Sequence, residues 1–224
     1  MTRQRLSLAG LLLAATLLVT GCSFLQVPFF LMKGEPKIDP LLMPLAQKGA
    51  TKVVILTSAP VHLNPEFLRV DHDLTSKLVM HLNRLAKENK EKLTIVPTRK
   101  VDKFKDDHPD WASSMDLAEI GEKFEADYVI YVEIESISMY EKGTGSFMYR
   151  GRAGMRVEVV DVNDPDAEAV STILAPEYPP SERGAVPSDE ARPAEFRQKF
   201  LDHLARKLAY LFTAHTTHEE YRLD

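Results

Sequence analysis

One cysteine, Cys22, and one tryptophan, Trp111, stand in a chain of 224 residues. A lone cysteine leaves no second thiol to pair with, so no intramolecular disulfide framework holds this fold. Basic residues are in the minority: 28 Lys and Arg face 33 Asp and Glu, a formal charge of −5. The cations form no stripe and do not interleave with aromatics, which excludes a nucleic-acid binder. Glycine is scarce, with 10 in the chain. The pair in Gly143-Thr144-Gly145 falls inside a hairpin turn and not between a strand and a helix, so it is no phosphate loop. Ser58, Ser113 and Ser114 lack the pattern of a nucleophile elbow. Internal repeats and low-complexity tracts are absent.

What is present begins at the amino terminus. Arg3 and Arg5 precede an apolar run that includes Leu11, Leu12, Leu13, Leu17 and Leu18. This reads as a signal peptide over 1–21. Its exit, Val19-Thr20-Gly21-Cys22, resembles the bacterial lipobox, which implies cleavage before Cys22 and acylation of that cysteine. The competing reading is an uncleaved anchor, because apolar residues continue through Phe24, Leu25, Phe29, Phe30 and Leu31. Each buried acyl methylene contributes about 0.8 kcal/mol, so two or three chains hold a protein to a bilayer. The expected partner is therefore a membrane, reached through Cys22. Ser23 follows the cysteine where an inner-membrane lipoprotein carries aspartate; the implied address is the outer membrane, facing the periplasm.

Residues 22–50 are expected to form a lipidated, apolar, proline-containing tether, lying on the bilayer or on its own domain. The other reading is a strap on a neighbouring subunit. A mixed α/β domain over 51–214 and a polar tail over 215–224 complete the division. Lys52-Val53-Val54-Ile55-Leu56 reads as a central strand. Leu74, Leu78, Leu82 and Leu85 share a helical face, with Asp71 and Asp73 at its start. Leu93–Val96 is a strand. Val101, Phe104 and Trp111 lie in a partly helical connector, and Leu117, Ile120 and Phe124 mark another helix. Val170–Leu174 is a late strand, Pro176–Pro193 a proline-rich loop, and Phe196, Phe200, Leu204, Leu208 and Leu211 the stripe of a last helix. The order β-α-β-α-β-β-β-α predicts a mixed sheet, parallel early and antiparallel late, with helices packed against it in one domain.

The longest strands are expected between Ala126 and Asp164. Ile130, Val132 and Ile134 alternate with Glu133 and Glu135. Phe147, Tyr149, Ala153, Met155, Val157 and Val159 alternate with Arg150, Arg152, Arg156 and Glu158. A hairpin over Lys142, Gly143 and Thr144 predicts Ile137 opposite Tyr149. A bulge near Glu135 or Ser136 then puts Ile134 opposite Ala153, Val132 opposite Met155 and Glu135 opposite Arg152.

The passage Ala118-Glu119-Ile120-Gly121-Glu122-Lys123-Phe124-Glu125-Ala126-Asp127-Tyr128-Val129-Ile130 resembles a helix-to-strand junction in a family of bacterial envelope lipoproteins. That family includes the curli secretion lipoprotein CsgG, the peptidoglycan-synthase activator LpoB, the exopolysaccharide lipoprotein PelC and the amino-terminal domain of TolB. Element order extends the resemblance from Lys52 to about Phe212. Two departures stand out: Val132 and Glu133 occupy a region where the family often has glycine, and the extra hairpins of the curli pore are missing. The resemblance implies an envelope lipoprotein and no self-made barrel.

Candidate sites divide the same way. His215 and His218 share a helix-end face but read as a polar tail. His72, between Asp71 and Asp73, is an acid–base candidate whose plainer reading is a helix cap. Tyr128, Tyr131, Tyr140 and Tyr149 read as sheet packing. No nucleophile, base and orienting group combine. The expectation is a chain without catalysis, cofactor or metal, acting through an envelope protein partner or self-association. Tyr178 and Arg183, in the proline-rich loop and expected outside the core, are the candidate partner contacts. The alternative is a lipid-anchored enzyme or small-ligand binder with a cleft near residues 58–73.

Overall fold

The computed structural model describes residues 36–42, 49–60, 65–164 and 167–216. The expected signal peptide, Cys22, His218 and most of the expected tether lie outside the described residues. Lys37–Asp224 forms one compact unit.

Five strands lie side by side. β2 (Thr51–Ser58) is central, with β3 (Leu93–Ile95) and β4 (Tyr128–Tyr140) parallel to it on either side. β5 (Met148–Asp161) runs antiparallel to β4, and β6 (Val170–Leu174) antiparallel to β5. This is the mixed sheet that the element order predicts. The chain leaves β2 through α1 (Val70–Asn89), and leaves β3 through α2 (Thr98–Asp107), α3 (Trp111–Ser114) and α4 (Leu117–Lys123). Moving in opposite directions with the same hand places α1 on one sheet face and α2–α4 on the other.

Alternation along the strands fills two cores. Val53, Ile55, Ile130, Val132, Ile134, Met155 and Val157 face α1 and the last helix, α5 (Pro193–Ala209). Val54, Leu56 and Val129 face Val101, Phe104, Trp111 and Ile120 of α2–α4. Fully burying one such aliphatic side chain contributes about 1.5–3 kcal/mol. Two glycines set how near the helices come. A Cβ on Gly121 of α4 would lie 2.3 Å from Val162, and one on Gly151 of β5 would lie 2.5 Å from the Phe200 ring of α5.

The junction 118–130 follows from hydrogen bonding. Glu125 takes a left-handed φ of 51°, which turns the chain out of α4. The Asp127 carboxylate then accepts the Lys52 N–H at 2.7 Å, while its own N–H donates to the Lys52 carbonyl. An acid at this position fastens the start of β4 to the start of β2.

The hairpin register differs from the expected one. A bulge does fall at Glu135, between Ile134 and Ser136, but Ile134 pairs with Met155, Val132 with Val157 and Ile137 with Ala153. The lower register is slipped by two residues, which period-two alternation cannot detect. The turn is longer than three residues, since Glu141 donates its N–H to Met148. Phe147, expected on the core face, is 79% exposed in that turn. Gly143 and Gly145 supply its positive φ values.

Four other expectations are corrected. The Pro176–Pro193 segment is no free loop: β7 (Glu177–Tyr178) and β8 (Val186–Pro187) both pair with β5. Tyr178, expected outside the core, is 8% exposed and packs on Phe196 and His203. His215, expected in a loose tail, is buried and stacks on Tyr210 at 3.8 Å. It belongs to β9 (His215–Thr216), which pairs with β1 (Lys37–Ile38). Residues 37–42, read as tether, are therefore part of the domain; Leu42 donates its N–H to Leu211 and packs on the core.

Candidate functional site: the uncovered half of the sheet

The helical cover of the outer sheet face ends near Tyr131, whose ring meets Trp111 edge-on at 5.9 Å. Beyond it, β4 and β5 present Glu133, Glu135, Ser136, Ser138, Arg150, Arg152, Gly154 and Arg156 outward, opposite in phase to the buried residues. Arg156 reaches Glu135 at 2.7 Å and Glu133 at 4.0 Å. Nearer the hairpin, Arg152 donates to Glu141 at 2.7 Å and to Glu177 at 2.9 Å, with Arg150 against the same two acids. The hydrogen bond from Arg152 holds the Glu141 carboxyl below its usual range, and the same bond raises Arg152. The expected contact of Glu135 with Arg152 is replaced by one with Arg156, a direct result of the two-residue slip.

Between the two clusters lies a cavity of about 390 Å³. Its lining includes Ser136, Ser138, Arg152, Gly154, Ala175 and Glu177. Gly154 makes the hollow: a Cβ there would stand 2.9 Å from the Ser136 hydroxyl. The Arg152 Nη1 is buried without a hydrogen-bond partner in the chain. Sequence reading singled out the arginines of this face and missed Gly154, whose effect depends on which residue sits across the strand pair.

Where the face meets solvent sideways, β6 ends the sheet, and its outer edge has no strand partner among the described residues. Val170 and Ile173 of this strand are 44% and 68% exposed.

The alternative cleft near 58–73 is tied up internally. Asp71 accepts from Lys105 at 3.2 Å, and Lys105 also donates to the Thr57 carbonyl. His72 shares a 3.0 Å hydrogen bond with Asp102, and Asp73 accepts from Arg197 at 2.7 Å. Three consecutive residues thus tie α1 to α2 and to α5. Neither acid caps the helix, since the residue before it, Arg69, makes no side-chain cap. Ser58 shares a 2.8 Å hydrogen bond with the Tyr131 hydroxyl, whose pKa burial raises. Ser113 and Ser114 donate to the Asp110 carbonyl. The Tyr140 and Tyr149 rings meet at 5.5 Å, tilted by 33°, with Tyr149 in the core and Tyr140 packed against it, in keeping with sheet packing. Arg183 is exposed in a short 3-10 turn, whereas Tyr178 is buried. Among the described residues, no three His, Cys, Asp or Glu side chains gather as metal ligands, and no helix is long and apolar enough to cross a membrane.

No protein-family model and no curated protein matches the sequence. Solved structures resemble it in part. The PelC dodecamer from Paraburkholderia phytofirmans aligns at 15% identity over 80% of this chain and 97% of that one, with a TM-score of 0.42. Lipoprotein GNA1162 from Neisseria meningitidis aligns at 11% identity over 71% and 98%, at 0.39. Protein XCC0632 from Xanthomonas campestris aligns at 12% over 75% and 88%, at 0.41. Likenesses at this level carry no function across, and the assignments that follow stand on this chain's own residues.

Proposed function

We propose that this chain is a lipid-anchored protein of the bacterial envelope that works without catalysis, as a protein-interaction or assembly module. The anchor is Cys22, within the lipobox-like Val19-Thr20-Gly21-Cys22. The observation that carries the module is the contrast in cover: helices bury the inner face of β2, β4 and β5 and half of the outer face, and leave a charged half with an open edge strand beside it. The residues that a hydrolytic cleft would need near 58–73 are instead engaged in holding helices together. Residue 22 faces the membrane from the outer-membrane periplasmic leaflet in this reading, with Ser23 as its sorting residue.

Two measurements test it. Mass spectrometry of the membrane-bound protein is expected to find an acylated amino terminus at Cys22, and Cys22→Ala is expected to leave the membrane fraction. A photo-crosslinking residue at Ser136, on the open face, is expected to capture envelope protein, while one at Met80, on the exposed side of α1, captures none. An intact Met1 terminus overturns the anchor. Equal silence at both positions overturns the module.

A further inference from the structure

We propose that β6 pairs edge to edge with β6 of a second copy, antiparallel, about a twofold axis through Thr172. The pairing joins the two sheets into one. It rests on the reading of the chain as an assembly module, and names both the surface and the partner.

The two ends of the sheet are built differently. β3 has three residues, lies between Lys92 and Pro97, and gives a new strand little to hold. β6 has five residues, Val170-Ser171-Thr172-Ile173-Leu174, with neither charge nor proline. Natural edge strands are normally blunted by lysine, proline, a bulge or a covering segment. The same edge of β5 shows that covering in use, because β7 and β8 occupy the positions beyond β6. Among the described residues the outer edge of β6 has no strand partner, and it lies beside two exposed apolar side chains.

The register identifies the occupant. Ile173 lies beside Arg156 and Ser171 beside Glu158 on the outer face; Val170, Thr172 and Leu174 lie beside Val159, Val157 and Met155 on the inner face. A twofold axis normal to the sheet keeps inner residues inner and outer residues outer. Three antiparallel registers then pair most of the strand. With the axis at Ile173, each Arg156 row runs into the other copy's Arg156. With the axis at Ser171, Glu158 runs into Glu158. With the axis at Thr172, the row Glu133, Arg156, Ile173 continues into Ser171 and Glu158 of the second copy, so the nearest charges have opposite sign. The same register sets Val170 against Leu174, and Thr172 against Thr172. It also brings the two exposed Ile173 side chains to diagonal positions, where each loses water contact. The strand is complementary to itself, which is what an isologous interface requires.

The test uses the full-length chain in its membrane. Directly opposed antiparallel residues have Cα atoms about 4.5–5.5 Å apart, inside the roughly 4.4–6.8 Å that a disulfide spans. Thr172→Cys is therefore expected to give a reducible dimer on mild oxidation. The unmodified chain, which carries Cys22 alone, reports the background. Ser171→Cys and Ile173→Cys are expected to crosslink weakly when each is produced alone, and strongly when the two are produced together. In detergent, Ile173→Lys is expected to halve the particle mass by sedimentation at an unchanged melting temperature. A Thr172→Cys band no stronger than background overturns the pairing. So do equal bands at all three positions, or a dimer mass that survives Ile173→Lys. Crosslinking to other envelope proteins from Ser136 is independent of these results: if it persists while the β6 dimer fails, the interaction module stands and this surface does not.

Discussion

The two faces of one sheet use the same alternation for different ends. On the inner face, Val53 and Ile55 of β2, Ile130, Val132 and Ile134 of β4, and Met155 and Val157 of β5 pack with α1 and α5, with Phe200, Leu204 and Leu208 fully buried among them. On the outer face of β4 and β5, apolar residues run only as far as α2–α4 reach, and acids and arginines take over. The packing that holds the fold covers the first face and half of the second, and the proposed recognition surface is the uncovered half. Neutral packing tolerates little change, whereas an exposed ion-pair ladder contributes little to folding and is free to be selected for contact.

The sharpest way to break this contrast is to cut into each face equally. Phe200→Ala removes the ring that covers Gly151 and is expected to cost about 3–5 kcal/mol, read as a lowered urea midpoint. Tyr178→Ala follows it closely, with a clear drop in melting temperature, because the ring packs between Phe196 and His203. Arg183→Ala is expected to leave that temperature unchanged. A neutral Tyr178→Ala would return this tyrosine to the surface role that its loop suggests.

Acid sharpens the comparison next. His203 is 5% exposed, and burial, then Lys207 and Arg206, press its pKa from 6.5 down to about 4, against a smaller opposing pull from Asp202. The unfolded chain takes up this proton at a higher pH than the folded one does. The stability present above about pH 6.5 is therefore lost as pH falls toward 4, by up to about 3 kcal/mol. Asp202, lowered by its hydrogen bond with His81, adds a further loss below its ordinary value of 3.8. Thermal melts from pH 7.5 to 4.0 check this, and His203→Phe is expected to flatten the upper part of the profile. On the outer face, Glu141, held low by Arg152, loses its contribution only as pH falls below its ordinary 4.5, so the higher part of the profile reports His203.

A smaller effect is expected from the amino-terminal strap. A chain starting at Gly49 loses Leu42 and the β1–β9 pair, and its melting temperature is expected to fall by several degrees with cooperativity intact. A loss of about 1–2 kcal/mol is the scale of one partly buried aliphatic residue and a few hydrogen bonds. The smallest change belongs to the ladder itself: Arg156→Ala is expected to leave the urea midpoint within replicate scatter while weakening crosslinking from Ser136. If Arg156→Ala unfolds the protein, the division between the faces fails.

Local pattern made much of this readable. Ile130, Val132 and Ile134 announce the buried face of β4, and Val170–Leu174 stands in the structure with the bounds its composition implies. Nonlocal pairing was not readable. Two-residue strands such as β7 and β8 carry no period, so Tyr178 reads as loop until β5 is placed beside it. The two-residue slip preserves every face, so it changes which arginine meets Glu135 without disturbing any hydrophobic pattern. His215 and Ile38 meet across most of the chain length, and neither advertises the other. Gly151 and Gly154 act through absent side chains, one admitting Phe200 and the other opening a cavity, and only the opposing residue tells which.

β5 has one continuous neighbour, β4, but on its other side the chain touches it in three short stretches, at residues 155–159, 151–152 and 148–149. β6 and β7 keep one register across residues 175–176, since Met155 faces Leu174 and Gly151 faces Tyr178 at the same offset, whereas Met148 faces Pro187 of β8 at a different one. Added or deleted residues between β7 and β8 are absorbed locally, because β8 holds a register of its own. The long strand works as a spine along which the returning chain is pinned at intervals. The turn at Ser181–Arg183 is accordingly the place where a tag or a foreign loop is best grafted, leaving both cores undisturbed.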